Sequence, residues 1–148
     1  MKKLITAFFL NLFILSSYGQ SKKDDLKKMI DSSITYMDVY HNADSLKNNI
    51  YLLNENNEPY IYESSDAKFK YFDIYENKNK SLLKKGIDVW KIISILDGNK
   101  CIIKIIDFKV KYSNNTYNFI NRGGGTVKFE YVCDKNDWIL LEAKWKGI

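Results

Sequence analysis

Apolar residues first recur with the period of an α-helix. At about 100° per residue, Leu26, Met29, Ile30, Ile34, Tyr36, Met37 and Tyr40 fall on one side of a helix beginning at Ser21 or Lys22. Lys27, Lys28, Asp31, Thr35 and Asp38 fall on the other side. Asp24 and Asp25 occupy the first turn, where carboxylates suit the positive end of the helix dipole, and His41-Asn42-Ala43-Asp44 ends the pattern. A helix with one apolar stripe needs a sheet or a second helix to cover it.

From Ile50 onward the period shortens to that of strands. Residues 50–53 and 60–63 flank a polar turn and predict a hairpin, and residues 69–75 predict another strand. A helical turn at 81–85 is stopped by Gly86. Long strands at 87–96 and 101–112 are joined through Asp97-Gly98, a hairpin signal. Strands at 116–120, 126–133 and 138–145 complete the chain, with a glycine break from Asn121 to Gly125.

Alternation predicts a register for the last hairpin. Val127, Phe129, Tyr131 and Cys133 share one face, as do Ile139, Leu141, Ala143 and Trp145, and both sets should point inward. The preferred register sets Cys133 opposite Asp137, Lys128 opposite Glu142 and Trp145 opposite Gly125, with Asn136 left-handed in the turn. The next register that keeps both sets inward opposes Glu130 to Glu142 and Lys128 to Lys144, like against like. The fold class is α+β: one N-terminal amphipathic helix packed on an antiparallel β-sheet. By element order it is analogous to the cystatin-like and nuclear-transport-factor-2-like folds.

The segment before the helix changes the setting. Lys2 and Lys3 precede an apolar run at residues 4–15, and Ser17-Tyr18-Gly19 places small residues at −3 and −1 of a cleavage site. This is the layout of a signal peptide at residues 1–19, leaving one domain at 20–148 that is periplasmic or secreted, with no stable membrane anchor after cleavage. The leader carries two lysines and no acid, so the formal net charge falls from +5 to +3 on its removal. Arg122 is the one arginine, and the lysines are spread between apolar strand residues, a pattern that argues against a nucleic-acid partner.

Candidate chemistry is sparse. Cys101 and Cys133 in an exported chain invite a disulfide, but their strand parities point the thiols to different sides of the sheet and favour two buried thiols. Arg122-Gly123-Gly124-Gly125 leads into a strand, so these glycines mark a bulge, a bend or bare backbone beneath a large side chain such as Trp145; Arg122 would be the charged contact of any bound anion. His41 reads as a helix-end residue, and Asp88, Asp107, Glu130 and Glu142 read as the solvent phase of amphipathic strands. No cofactor or metal site is expected. The aromatic segment from Tyr51 to Tyr75 is the best binding signal, with Tyr60, Tyr62, Tyr71 and Tyr75 as the candidate contacts.

Phe129-Glu130-Tyr131-Val132-Cys133, then Trp138-Ile139-Leu140 and the final Lys146-Gly147-Ile148, resemble the C-terminus of small uncharacterised exported bacterial proteins. Residues 86–92 fit the same pattern. The resemblance carries over no activity and no catalytic residue. The expectation is therefore a non-enzymatic exported module that binds a protein, in an inhibitor or immunity-type role. A small-ligand pocket between helix and sheet, and a hydrolase using His41 or an acidic pair, are the alternatives.

Overall fold

The computed structural model describes residues 24–40, 49–63 and 68–147. The predicted leader, the first residues of the predicted helix and its predicted end, including His41, lie outside the described residues. Helix α1 spans residues 24–40. It is followed by β1 (Ile50–Leu53), β2 (Phe69–Lys70), a 3₁₀ turn at Asn77–Asn79, α2 (Lys80–Lys85), β3 (Ile87–Asp97), β4 (Lys100–Ser113), β5 (Thr116–Val132), a 3₁₀ turn at Cys133–Lys135 and β6 (Asp137–Gly147). The fold is mixed α+β, with the six strands in one curled sheet of order β2-β1-β3-β4-β5-β6.

The sheet is mostly, not wholly, antiparallel. β3 to β6 form an antiparallel meander, whereas β1 runs parallel to both β2 and β3. The predicted hairpin after β1 shrinks to a bridge between Leu53 and Pro59, because proline has no N–H with which to extend a ladder. Asn54 closes that turn instead: its Oδ1 accepts from the backbone N–H groups of Asn56 and Glu58, both at 2.9 Å. The chain then crosses over through β2 and α2 and enters β3 in the same direction as β1. Of the predicted strand at 69–75, only Phe69–Lys70 is strand. Asp73 Oδ1 accepts from Tyr75 N–H at 2.8 Å, turning the chain so that Phe72 and Ile74 are buried.

Both faces of the sheet are covered. On the first, Met29, Ile30, Ile34 and Met37 of α1 pack with Ile50, Leu52, Trp90, Ile92, Cys101, Ile103, Ile105, Val127 and Phe129. On the second, Phe72, Ile74 and Leu83 cover Leu53, Ile87, Val89 and Val110. This explains why β3 and β4 read as nearly continuous apolar runs. It also explains why Cys101 is buried although its parity is opposite to that of Phe108 and Val110. The stripe on α1 is narrower than predicted. Tyr36 and Tyr40 are exposed, and buried Ser33 takes their place, its hydroxyl donating to Met29 O at 2.7 Å.

The predicted glycine break is one continuous strand with a bulge. Ile106 opposes Gly124 while Phe108 opposes Asn121, so Arg122 and Gly123 together face Asp107. Gly123 holds φ 122° there, a conformation side-chain-bearing residues rarely adopt. The extra residue reverses the alternation: Tyr117 and Phe119 serve the second core, and Val127 and Phe129 the first. It is Met37, not Trp145, that packs against bare glycine, since a Cβ on Gly125 would collide with Met37 Sδ. The Trp145 ring instead reaches Trp90 with centroids 6.0 Å apart, although two strands separate β6 from β3. Neighbouring strands lie about 4.8 Å apart, so this contact needs the sheet to curl toward α1.

The last hairpin keeps the predicted register over its inner half. Gly125 faces Trp145 and Lys128 faces Glu142, with an ion pair of 3.0 Å between the latter two. Beyond that point Phe129 faces Leu140, making Leu141 an extra residue in β6. The bulge moves Trp138 and Leu140 to the side of Tyr131 and Phe129, correcting the predicted inward set of Ile139 and Leu141. Asn136 is left-handed as predicted (φ 50°, ψ 40°). Cys133 lies in the 3₁₀ turn and is exposed, so the expected pair of buried thiols reduces to Cys101, and both thiols are free.

Candidate functional site

The polar side of α1 is a seam, not a solvent face. Asp31, Thr35 and Asp38 recur at helical spacing, and each engages the chain beyond β1. Tyr60 Oη donates to Asp31 Oδ1 at 2.8 Å, Tyr62 Oη and Thr35 Oγ1 are 2.9 Å apart, and Lys68 pairs with Asp38. Lys27 Nζ adds a contact to Asp31 Oδ2 at 2.7 Å, which raises the lysine pKa chiefly through that hydrogen bond. Half-burial raises the Tyr60 phenol well above its ordinary range, and the bond to Asp31 adds to the shift. The hydroxyls of Tyr60 and Tyr62 are thus committed to holding residues 60–62 against α1.

What they hold is a cleft at the β2 edge. Leu52, Tyr60, Ile61, Tyr62, Phe69, Lys70 and Tyr71 line a space of about 70 Å³. Its floor is rigid: the Tyr62 and Phe69 rings meet edge to face at 5.2 Å, and Phe69 lies 5.6 Å from the buried ring of Trp90. Its lips stand out in solvent, with Ile61 64% and Tyr71 70% exposed. Three of the expected contacts, Tyr60, Tyr62 and Tyr71, meet here together with Ile61, which the aromatic pattern does not mark. Its parity, opposite to the two anchored tyrosines, was the available signal.

The other two candidate contacts lie elsewhere. Tyr75 packs edge to face on Tyr117 at 5.2 Å and accepts a 3.3 Å hydrogen bond from Asn57 Nδ2. Arg122 is carried by the β5 bulge to a point between two aspartates. Its Nη2 donates to Asp107 Oδ1 at 2.5 Å and lies 2.7 Å from Asp88 Oδ1, while Lys109 Nζ approaches Asp88 at 3.3 Å. Asp107 is 3% exposed and pairs across the ladder with Trp90, so neither it nor Asp88 is the solvent-face residue that alternation suggested. A guanidinium shared by two carboxylates has little charge to offer an added anion. Its Nε is buried without an acceptor.

A second cleft, of about 140 Å³, opens between α1 and the far end of β5 and β6, lined by Asp25, Lys28, Met29, Ser32, Phe129, Asp137 and Trp138. Burial raises the Cys101 thiol pKa, making it a poor nucleophile at neutral pH. Among the described residues no group of three or more His, Cys, Asp or Glu is placed to hold a metal, and no helix is long and apolar enough to cross a membrane. No protein-family model, curated protein or solved structure matches the chain.

Proposed function

We propose that this chain is an exported, non-enzymatic module that binds a protein through the cleft at the β2 edge. The observation that carries the reading is the pairing of exposed Ile61 and Tyr71 over a floor that the α1 seam immobilises. Large apolar side chains displayed on rigid backbone are what interface hot spots require, because little further ordering entropy is lost on binding. The placement of α1 on the inner face of a curled meander supports a cystatin-like or nuclear-transport-factor-2-like assignment, with the parallel β1 and β2 as additions. An inhibitor or immunity-type role fits such a module.

The test is capture with the tagged full chain from envelope and secreted fractions, followed by titration of the recovered partner. Truncating both Ile61 and Tyr71 to Ala should weaken binding by at least about tenfold, as expected of two hot-spot positions. Leu96→Ala, equally exposed at 70% but on the β3–β4 hairpin, should leave it unchanged. Equal affinity for wild type and the double variant would sink the assignment of the cleft.

The second cleft favours the alternative of a small ligand held between helix and sheet, through Trp138 and the carboxylates of Asp25 and Asp137. Its volume is below the roughly 300–1,000 Å³ usual for drug-sized ligands, so the protein-binding reading is preferred. A hydrolytic use of Asp88 and Asp107 is weakened by Arg122, which engages both carboxylates.

A further inference from the structure

We infer that the surface formed by α2 and the adjoining end of β4 docks on an anionic lipid bilayer, independently of the protein-binding cleft. α2 reads Lys80-Ser81-Leu82-Leu83-Lys84-Lys85, and Leu83 is its one buried residue. With Leu83 fixed in the second core, Leu82, Lys84 and Lys85 face solvent. Gly86 ends the helix at φ 86° and lies against two further lysines: a Cβ there would stand 3.0 Å from Lys109 Cε and from Lys111 Cγ and Cε. On the other flank, Lys80 Nζ sits 5.0 Å above the Tyr112 ring. Tyr112 packs on Tyr117 at 4.9 Å, and Tyr117 on exposed Tyr75 at 5.2 Å.

The charges on this surface are unbalanced. Lys109 is neutralised by Asp88 at 3.3 Å, and Lys78 at the margin by Glu76 at 2.9 Å. Lys80, Lys84, Lys85 and Lys111 meet no carboxylate among the described residues. Chain order spreads these lysines over two segments, and the fold brings Lys111 beside Gly86 at the end of α2.

Residue type decides between a lipid and a protein occupant. Protein interfaces favour arginine, whose planar fork grips carboxylates, and are depleted in lysine. A hydrated ammonium on a flexible stem suits the diffuse field of anionic headgroups, where each lysine adds about fivefold in affinity. Exposed Leu82 and Tyr75 supply the apolar and amphipathic groups that settle at a bilayer surface. A six-residue helix cannot insert, so the association is peripheral and salt-sensitive.

The test is co-sedimentation of the full chain with vesicles of neutral phosphatidylcholine, or of phosphatidylcholine with about one third phosphatidylglycerol, at low and high salt. The expected result is a preference of at least about tenfold for the anionic vesicles at low salt, largely lost at high salt. The leader is common to every variant and cannot account for a lipid-charge difference that variants abolish. Lys84→Glu/Lys85→Glu/Lys111→Glu should reduce binding to the neutral-vesicle level with an unchanged near-ultraviolet circular dichroism spectrum. Lys104→Glu, elsewhere on β4, should not reduce it. If the triple reversal fails to fold, Lys84→Gln/Lys85→Gln should still lose most of the preference. Equal partitioning into both vesicles, or full binding by the folded variants, overturns the proposal. So does binding of poly-glutamate through these lysines without vesicle binding, which would reassign the surface to an acidic protein.

Discussion

Tyr60 shows how one side chain serves two purposes. Its ring lines the cleft, and its hydroxyl ties residues 60–62 to Asp31 of α1 at 2.8 Å. Asp31 keeps Lys27 as a second partner at 2.7 Å, so removing the hydroxyl does not strand the carboxylate. Tyr60→Phe should therefore cost about 1.5–3 kcal/mol, the range for a hydrogen bond to a charged group, measured by urea unfolding at neutral pH. The raised phenol pKa adds a pH signature. A group whose folded pKa lies above its ordinary value of 10.0 contributes fully below that value and progressively less as pH rises beyond it. The stability gap between wild type and Tyr60→Phe should narrow above pH 10, and a constant gap would mean that the phenol is not protected by folding.

At the scale of elements, α1 has two working faces. The apolar stripe covers the first core, and the polar stripe of Asp31, Thr35 and Asp38 clamps the segments bounding the cleft. The fit of helix to sheet depends on Gly125, over which Met37 packs without room for a methyl group. Gly125→Ala should destabilise by about 1–3 kcal/mol through overpacking. Met37→Ala alone should cost about 2–5 kcal/mol as a cavity in the core. Together they should cost clearly less than the sum of the two, since the added methyl fills part of the space that methionine vacates. Strict additivity in guanidinium unfolding would show that the two do not share that space. The long β6 edge carries the devices that discourage pairing with other chains: the bulge at Leu141 and the neighbouring charges of Glu142, Lys144 and Lys146.

Across the whole molecule, the β5 bulge joins what the strands bring separately. It lets β5 serve both cores, and it sets Arg122 between Asp88 of β3 and Asp107 of β4. Arg122→Met should cost roughly 3 kcal/mol, because it withdraws the cation from a buried carboxylate and its neighbour. Neutralising both partners in that background, with Asp88→Asn and Asp107→Asn, should recover much of the loss. A cost below about 1 kcal/mol in chemical denaturation would show that the cluster does not hold the three strands together.

The sequence by itself determined the elements whose signals are local. The α1 stripe, the Gly86 stop, the Asp97-Gly98 hairpin, left-handed Asn136 and the pairing of Lys128 with Glu142 follow from period, turn chemistry and charge over short separations. The α+β class follows from their order. Only the tertiary structure decided what depends on counting across strands. One extra residue at Arg122-Gly123 and another at Leu141 reverse alternation, and a parity argument cannot see an insertion that exists only relative to a partner strand. Nor does alternation show that both faces of the sheet are covered, which puts Asp107 inside beside Trp90, or that a 3₁₀ turn leaves Cys133 outside. Of the candidate site, the aromatic segment was legible as composition. Which rings became floor, which became lip and which stood elsewhere was set by the hydrogen bonds that α1 offers in space.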